Sequence, residues 1–562
     1  MTHPITRELD PLFNPKSVAV IGATNNQNKW GFHTFSSTLD GFTGEVYPVN
    51  NRMKEVLGRK AFGRVTDIPG HVDMAVFVVP AINVPIAMKD CVAKGVKAAV
   101  LISAGFAETG VEGKKLQDEV LSIARQGGIR FIGPNCMGYW SASSNLRAFM
   151  MPLLIEDGPL AFVTQGGNVG GAVVMSGHQL GIGFHRYVSC GCTADIQVED
   201  YIECFGDDPK VKVILAYIEG LTDGRRFLEK VKKVTPKKPV IVLKAGKTSA
   251  AAGAITSHSG SLAGSNETYN AAFKSIGVTR VDNPEELLDV AIGFLYQPLP
   301  KGRNVAILTP GGSYGVLCAG DCASEGLNVL ALPDETIAAL DKVFPPRWSR
   351  RNPVDPAGDR NFIGYLTAPE KLLQVENVDS LIFVGFGGFS TFAPTMFSMD
   401  SNVGAGLAEM IPAISTAFES QDVAEISKII SPAIATIGSA MGTHDEEIQR
   451  LTRLIASAIA ARRIAPLFQS ISPSLPGSSE AENVGAKETM SASEAIAGFM
   501  FGLVEQWIAD YGKPVLTTTF GEGTPQLSSS RFVYPSSRAA ARVLVKMVEY
   551  KEYLERIGIY QK

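Results

Sequence analysis

The chain has 562 residues, of which 45% are hydrophobic and 19% charged, with a formal net charge of −4. That length predicts about three or four domains, and the absence of a basic balance excludes the surface that nucleic acid demands. No apolar run reaches the roughly 18 residues of a membrane span, the opening MTHPITRELDPLF has no apolar signal core, and seven cysteines are too few for a disulfide framework. A soluble cytoplasmic protein is expected, with reduced thiols, no membrane contact and no bound metal.

In chain order, SVAVIG (17–22), EVYPVN (45–50), MAVFVVP (74–80), AAVLIS (98–103) and IRFIGPN (129–135) are short apolar runs with helical patterns between them. Continuous apolar strands separated by helices predict a parallel sheet covered on both faces. The pattern restarts at PLAFVTQGG (159–167) and continues with VKVILAYIEG (211–220) and KPVIVLKAG (238–246). It restarts once more at NVAILTPGG (304–312), followed by SLIFVGFGG (380–388) and KPVLTTTFG (513–521). Several of these strands run into glycine, and open parallel sheets bind ligands beyond such carboxyl ends. The third unit is interrupted at about 393–495. Residues 393 to about 470 read as helices, and 470–494 as a polar Ser/Gly/Pro loop.

The loop VIGATNNQNKWG ends a strand at Gly22 and opens a helix near Trp30. The N-terminus of that helix would attract a phosphate. The spacing is not G-x-G-x-x-G, and Asn50, Asn51 and Arg52 stand where an NAD site needs a carboxylate. An arginine there suits a ligand with an extra phosphate, so NADP and a ligand-free tight turn both stay open. A second glycine loop, VTQGGNVG (163–170), offers Gln165, Gly166, Gly167 and Asn168 as a phosphate or carboxylate cradle before a helix.

TSHSGSLAGS (256–265) places His258 among hydroxyls and glycines, with nothing large enough to pack as a core. A phosphoryl acceptor must present a neutral imidazole nitrogen near pH 7, which histidine does at its ordinary pKa. Small neighbours admit a bulky phosphate. Ser257, Ser259 and Ser261 can hydrogen-bond it, and Gly260 can add its amide to an anion nest. A loop of small residues can also swing between two sites. The alternative is a solvent-exposed loop histidine without a role. Phosphohistidine chemistry also wants a carboxylate that orients the ring, and Glu219 ends a predicted strand of the same unit. Asp195 and Glu199 read as helix-face charges.

These motifs resemble the α subunit of the ADP-forming (NDP-forming) acyl-CoA synthetases, relatives of the succinyl-CoA synthetase α subunit. The likeness rests on SVAVIGAT, GEVYPVN, VVPA, ISAGFAETG and GPNCMG in the first unit. It continues through YIEG and TSHSGSLAGSNETYNAAFKSIGV in the second, and NPVDPAGD and KPVLTTTFGEG in the third. It covers roughly residues 10–390 and 510–562.

The resemblance implies an α/β chain of three domains: a Rossmann-like CoA-binding domain at 1–152, a flavodoxin-like domain with a phosphohistidine loop at 153–300, and a second flavodoxin-like ligase domain at 301–562 that carries the insertion. It implies His258 as the phosphohistidine and Glu219 as its carboxylate. CoA would bind at Gly22, Ala23, Thr24, Asn25, Asn50 and Arg52, and at Val79, Pro80, Ser103 and Asn135. Phosphate or the acyl group would meet Gln165, Gly166, Gly167, Asn168, Ser259 and Gly260.

Three loops depart from the family pattern. Its SQSG loop is replaced around Gln165, Gly166 and Gly167; Cys190-Gly191-Cys192-Thr193 stands where relatives carry Asn and Glu; and Asn50-Asn51-Arg52 replaces Asn-Pro-Lys.

The implied reaction interconverts acyl-CoA, ADP and phosphate with a carboxylic acid, CoA and ATP. CoA is a substrate, and ADP or ATP with Mg would sit on an ATP-grasp module that this sequence lacks. A separate ATP-grasp β subunit in a hetero-oligomer is therefore expected, with a small carboxylic acid or its CoA thioester as the other partner. A non-catalytic CoA-binding regulatory or scaffold protein is the alternative, and an oxidoreductase lacks its acidic residue after the second strand.

Overall fold

A computed structural model describes residues 3–248, 251, 265–358, 362–386, 413, 416–417, 420–440, 443–461, 492–519 and 533–560. The chain divides into two compact units, Met1–Ala291 with Tyr553–Gln561, and Ile292–Glu552.

The first unit holds two large sheets, besides a two-stranded hairpin of Glu55–Val56 with Arg59–Lys60. In the first sheet, β1 (Ser17–Ile21), β2 (Glu45–Val49), β3 (Met74–Phe77), β4 (Ala98–Leu101) and β5 (Arg130–Ile132) are ordered β2-β1-β3-β4-β5. Every pairing is parallel. β1, β3 and β4 are buried along their whole length, as their uninterrupted apolar runs predict.

A hairpin follows, β6 (Gly138–Ser141) with β7 (Leu146–Phe149), and then β8 (Leu160–Thr164), β9 (Phe184–Ser189), β10 (Val213–Ile218), β11 (Val240–Lys244) and β12 (Thr279–Val281). Their order is β12-β11-β10-β8-β9-β6-β7. The hairpin comes from the stretch expected in the first domain, yet β6 pairs antiparallel with β9 of this second sheet. Val18, Val20, Val163 and Ala216 share one hydrophobic core, so the two sheets are packed parts of a single unit.

The second unit contains β13 (Asn304–Leu308), β14 (Asn328–Val329), β15 (Ser380–Phe383), β16 (Val515–Thr518) and β17 (Val533–Tyr534), ordered β14-β13-β15-β16-β17. Between β15 and β16 in sequence lie the helices Val423–Ala440 and Asp445–Ala460, which bury Ile426, Ile430, Leu451 and Ile455 in that unit's core. The insertion is thus helical where it is described, and 470–491 lie outside the described residues. β15 and β16 pair in parallel across it.

The parallel strands of all three large sheets therefore share one order, with the first parallel strand between the second and the third. That arrangement opens a crevice at the carboxyl end of the first strand, where the crossovers diverge to opposite sides. β8 and β13 fill this position in their sheets, and both run into Thr-x-Gly-Gly. Thr164 Oγ1 donates to Gly166 O at 2.8 Å and Thr309 Oγ1 to Gly311 O at 2.9 Å, so the two loops turn alike.

Phe184–Ser189 is a strand that the apolar pattern does not predict, because His185 and Arg186 interrupt it. Both are buried and paired: His185 Nδ1 lies 2.7 Å from Asp157, and Arg186 donates to Asp208 at 3.1 Å. Asp195 corrects a second reading, since it lies off the helix, whereas Glu199 does stand on a helix but buried rather than solvated. Asp195 is buried before the helix and accepts from Arg130 Nε at 2.8 Å and Phe131 N at 3.1 Å. Glu199 is buried on the helix Val198–Asp207 and paired with Arg226. A buried carboxylate survives only when paired, and these partners are distant in sequence. All seven cysteines are free thiols.

Candidate active site

A cavity of about 840 Å³ lies where the strand ends of the two sheets in the first unit face each other. From the first sheet come Val79 and Pro80 after β3, Ser103 after β4 and Asn135 after β5. From the second come Gln165, Gly166, Gly167 and Asn168 after β8, and Glu219 after β10. Nine of the residues singled out in the sequence therefore surround one space.

The loops that bring them there are held by main-chain hydrogen bonds. Asn135 N donates to Ser103 O at 3.0 Å, and the Ser103 hydroxyl accepts from Val79 N at 3.2 Å. The helix α1 (Gly167–Gln179) starts at the cavity wall, and no side chain caps it. Its first amides are free to face an anion, which the helix dipole also favours.

Gly22, Ala23, Thr24, Asn25, Asn50 and Arg52 do not line the cavity. They form the loops that follow the neighbouring strands β1 and β2. Gly22 has φ of +98°, and a Cβ there would stand 2.3 Å from Val78 O, so only glycine allows the loops after β1 and β3 to meet. Asn50 Nδ2 donates to Ala23 O at 2.8 Å, and Asn25 Nδ2 to Glu55 O at 3.1 Å. The Thr24 hydroxyl accepts from Asn26 N at 3.2 Å. Arg52 donates its backbone N–H to Asn50 Oδ1 at 2.8 Å and keeps its side chain exposed. Trp30 is the residue of this region that reaches the cavity, and it is 51% exposed. Sequence reasoning missed it. A bulky aromatic opening a helix, after a run of polar residues, is the signal that could have found it.

Sequence reasoning also missed Cys192 and Tyr217. Cys192 lines the cavity with its thiol 3.7 Å from Glu108 Oε2. Burial, then the Glu108 charge, push that thiol up to about 12. Tyr217 also lines it, near the Glu219 carboxylate. Burial and that carboxylate raise the phenol to about 12. The Tyr217 ring lies against Gly166, where a Cβ would stand 2.8 Å from Cε1.

Glu219 is buried. His258, Ser259 and Gly260 lie outside the described residues. On one flank of that segment Ala251 lines the cavity, and on the other Ser265 caps the helix α2 (Asn266–Ser275) by accepting from Thr268 N at 3.1 Å. Among the described residues no helix is long and apolar enough to cross a membrane.

The geometry is that of a cavity walled by the strand ends of two α/β sheets and by the uncapped start of a helix. Residues 16–141 match the CoA binding domain family, and residues 157–294 the succinyl-CoA ligase like flavodoxin domain. The ADP-forming acetate–CoA ligase II subunit alpha of Pyrococcus furiosus is 44% identical over 376 residues, which are 67% of this chain and 82% of that protein. The ADP-forming acetate–CoA ligase I of Archaeoglobus fulgidus is 40% identical over 376 residues, but the chain spans only 54% of its length. The dinucleotide forming acetyl-coenzyme A synthetase 1 of Ca. Korarchaeum cryptofilum, solved with phosphate and ADP, superposes with a TM-score of 0.71 at 27% identity, covering 98% of this chain and 99% of that one. The chain belongs to the family of ADP-forming acyl-CoA ligases, in the line of their α subunits.

Proposed function

We propose that this chain is the α subunit of an acid–CoA ligase that works through acyl phosphate and a phosphohistidine. Phosphate attacks the thioester carbonyl of an acyl-CoA, the C–S bond breaks, and acyl phosphate and CoA thiol result. The His258 ring then attacks phosphorus, forming a P–N bond and releasing the carboxylate. An ATP-grasp β subunit, holding the nucleotide with Mg, passes the phosphoryl group from His258 to ADP. In reverse the same steps activate a small carboxylic acid with ATP.

The observation that carries this reading is the shared cavity. It collects the CoA-sheet strand ends, the uncapped start of α1 and the buried Glu219 around one space of about 840 Å³. An acyl-CoA extending from the β1 loops past Trp30 would bring its thioester to the amides of Gly167 and Asn168. Those amides face the place where an anionic phosphate or acyl phosphate must be held. Glu219 stands beside them as the group that accepts a hydrogen bond from one His258 nitrogen and leaves the other to react.

The test is reconstitution. The purified chain should bind CoA in calorimetry and make no acyl-CoA from ATP, CoA and acid. Adding an ATP-grasp β subunit of this family should start turnover. Full turnover by the chain alone would overturn the division of labour, and NADH binding in place of CoA would overturn the substrate. CoA binding with no turnover in the complete complex would favour a regulatory CoA binder instead. Gly166, which brings no hydroxyl to the cavity, is the feature that such a result would explain.

Arg52 gives a finer check. Its side chain is exposed and follows Asn50, which holds the β1 loop, and we read it as the group that meets a CoA phosphate. A charge-assisted hydrogen bond contributes roughly 1.5 to 3 kcal/mol, so Arg52→Ala should weaken CoA about tenfold or more. An unchanged Kd would move the phosphate elsewhere.

A further inference from the structure

Three neighbouring strands, β8, β10 and β11, end side by side, and the residues that close or follow them are Gln165, Glu219 and Lys244. A parallel ladder stops at this edge, so the main-chain groups of the next turn need other partners. At the Glu219–Gly220 turn, side chains from the two flanking strands supply all of them. Gln165 Oε1 accepts from Glu219 N at 2.6 Å and from Gly220 N at 3.1 Å. Gln165 Nε2 donates to Gly220 O at 3.0 Å. Lys244 Nζ donates to Glu219 O at 2.8 Å and to Ala245 O at 2.6 Å.

Lys244 is an unusual choice for this task. It is only 3% exposed and its ammonium lies over the Tyr269 ring at 4.6 Å. Burial, with Arg280 adding repulsion, lowers it to about 8, so the fold gives up charge stabilisation to keep a lysine there. The turn it fixes carries the one carboxylate of the cavity whose direction matters to the proposed chemistry. A carboxylate that must orient an imidazole has to be held within about half an ångström.

We propose that Gln165 and Lys244 are positioning residues that clamp the Glu219–Gly220 turn and so aim the Glu219 carboxylate for phosphoryl transfer. The inference rests on the role given to Glu219 above. It also gives Gln165 work besides contact with phosphate, because three of its hydrogen bonds are directed at the turn. The uncapped amides of α1 are left as the anion donors at this wall.

The test uses the complete α–β complex and labelled ATP. Gln165→Leu and Lys244→Met preserve bulk and remove the clamp. Each should slow formation of the acid-labile phosphoprotein by roughly 10²-fold, the loss expected from a small misplacement of a reacting group. The CoA Kd should stay within about twofold, and Lys244→Arg should recover most of the rate. The deciding readout is a double-mutant cycle. In a Glu219→Gln background, Gln165→Leu should cause little further loss, because the carboxylate it aims is gone. An equal loss in both backgrounds would show a general structural role and overturn the proposal. So would folded variants that label at the wild-type rate. Where Lys244→Met fails to fold, the Gln165 cycle decides alone. A wild-type complex that takes up no phosphate overturns the function proposed above and this inference with it. A labelled wild type with undisturbed variants overturns only the inference.

Discussion

His258→Ala should abolish phosphoprotein formation and acyl-CoA turnover while leaving CoA binding intact. Incubation of the complete complex with labelled ATP should give a phosphoprotein that is labile in acid and stable in base, because a phosphoramidate hydrolyses on protonation of its nitrogen. The label should map to the peptide containing residues 256–265. The loss should be complete, since alanine offers no nucleophile and the mechanism has no bypass between acyl phosphate and ADP. CoA affinity should persist because the loops after β1 and β2 are built by hydrogen bonds among Ala23, Asn25, Asn50 and Glu55. None of these bonds involves residue 258. A His258→Ala complex that still forms acyl-CoA at the normal rate would remove the phosphohistidine from the mechanism.

Glu219→Gln should leave the fold unchanged and slow phosphorylation by about 10² to 10⁴, the range seen when acid–base support is withdrawn. The amide fills the same volume, and the main-chain groups of residue 219 keep their bonds to Gln165 and Lys244. What is lost is the negative charge that stabilises the imidazolium developing as the phosphoryl group moves. Rapid-quench labelling measures the step directly, and an unchanged Tm shows that the loss is chemical. A rate within twofold of wild type would mean that another group supports the histidine.

The strand ends that form the cavity are legible in the sequence alone. Glycine loops after apolar runs mark Gly166, Gly167 and the chain around Asn135, and Glu219 stands at the end of such a run. The hairpin β6–β7 is not legible there, because antiparallel pairing to β9 depends on a neighbour some 50 residues away in sequence. β9 itself is hidden by His185 and Arg186, which break the apolar pattern but are paired in place with Asp157 and Asp208. Asp195 is misleading for the same reason, as its partner Arg130 lies on another strand.

By itself the sequence determined the α/β class, the three runs of parallel strands and several of the loops that line the cavity, because period and glycine placement act over a few residues. The tertiary structure alone decided which loops share a cavity. It placed Trp30, Cys192 and Tyr217 in its wall and left Arg52 outside. It also decided what Gln165 and Lys244 bind. A polar side chain states in the sequence only that it can hydrogen-bond. Which carbonyl or amide stands 2.6 to 3.1 Å away is settled by strand order, and strand order is set by packing of the whole sheet.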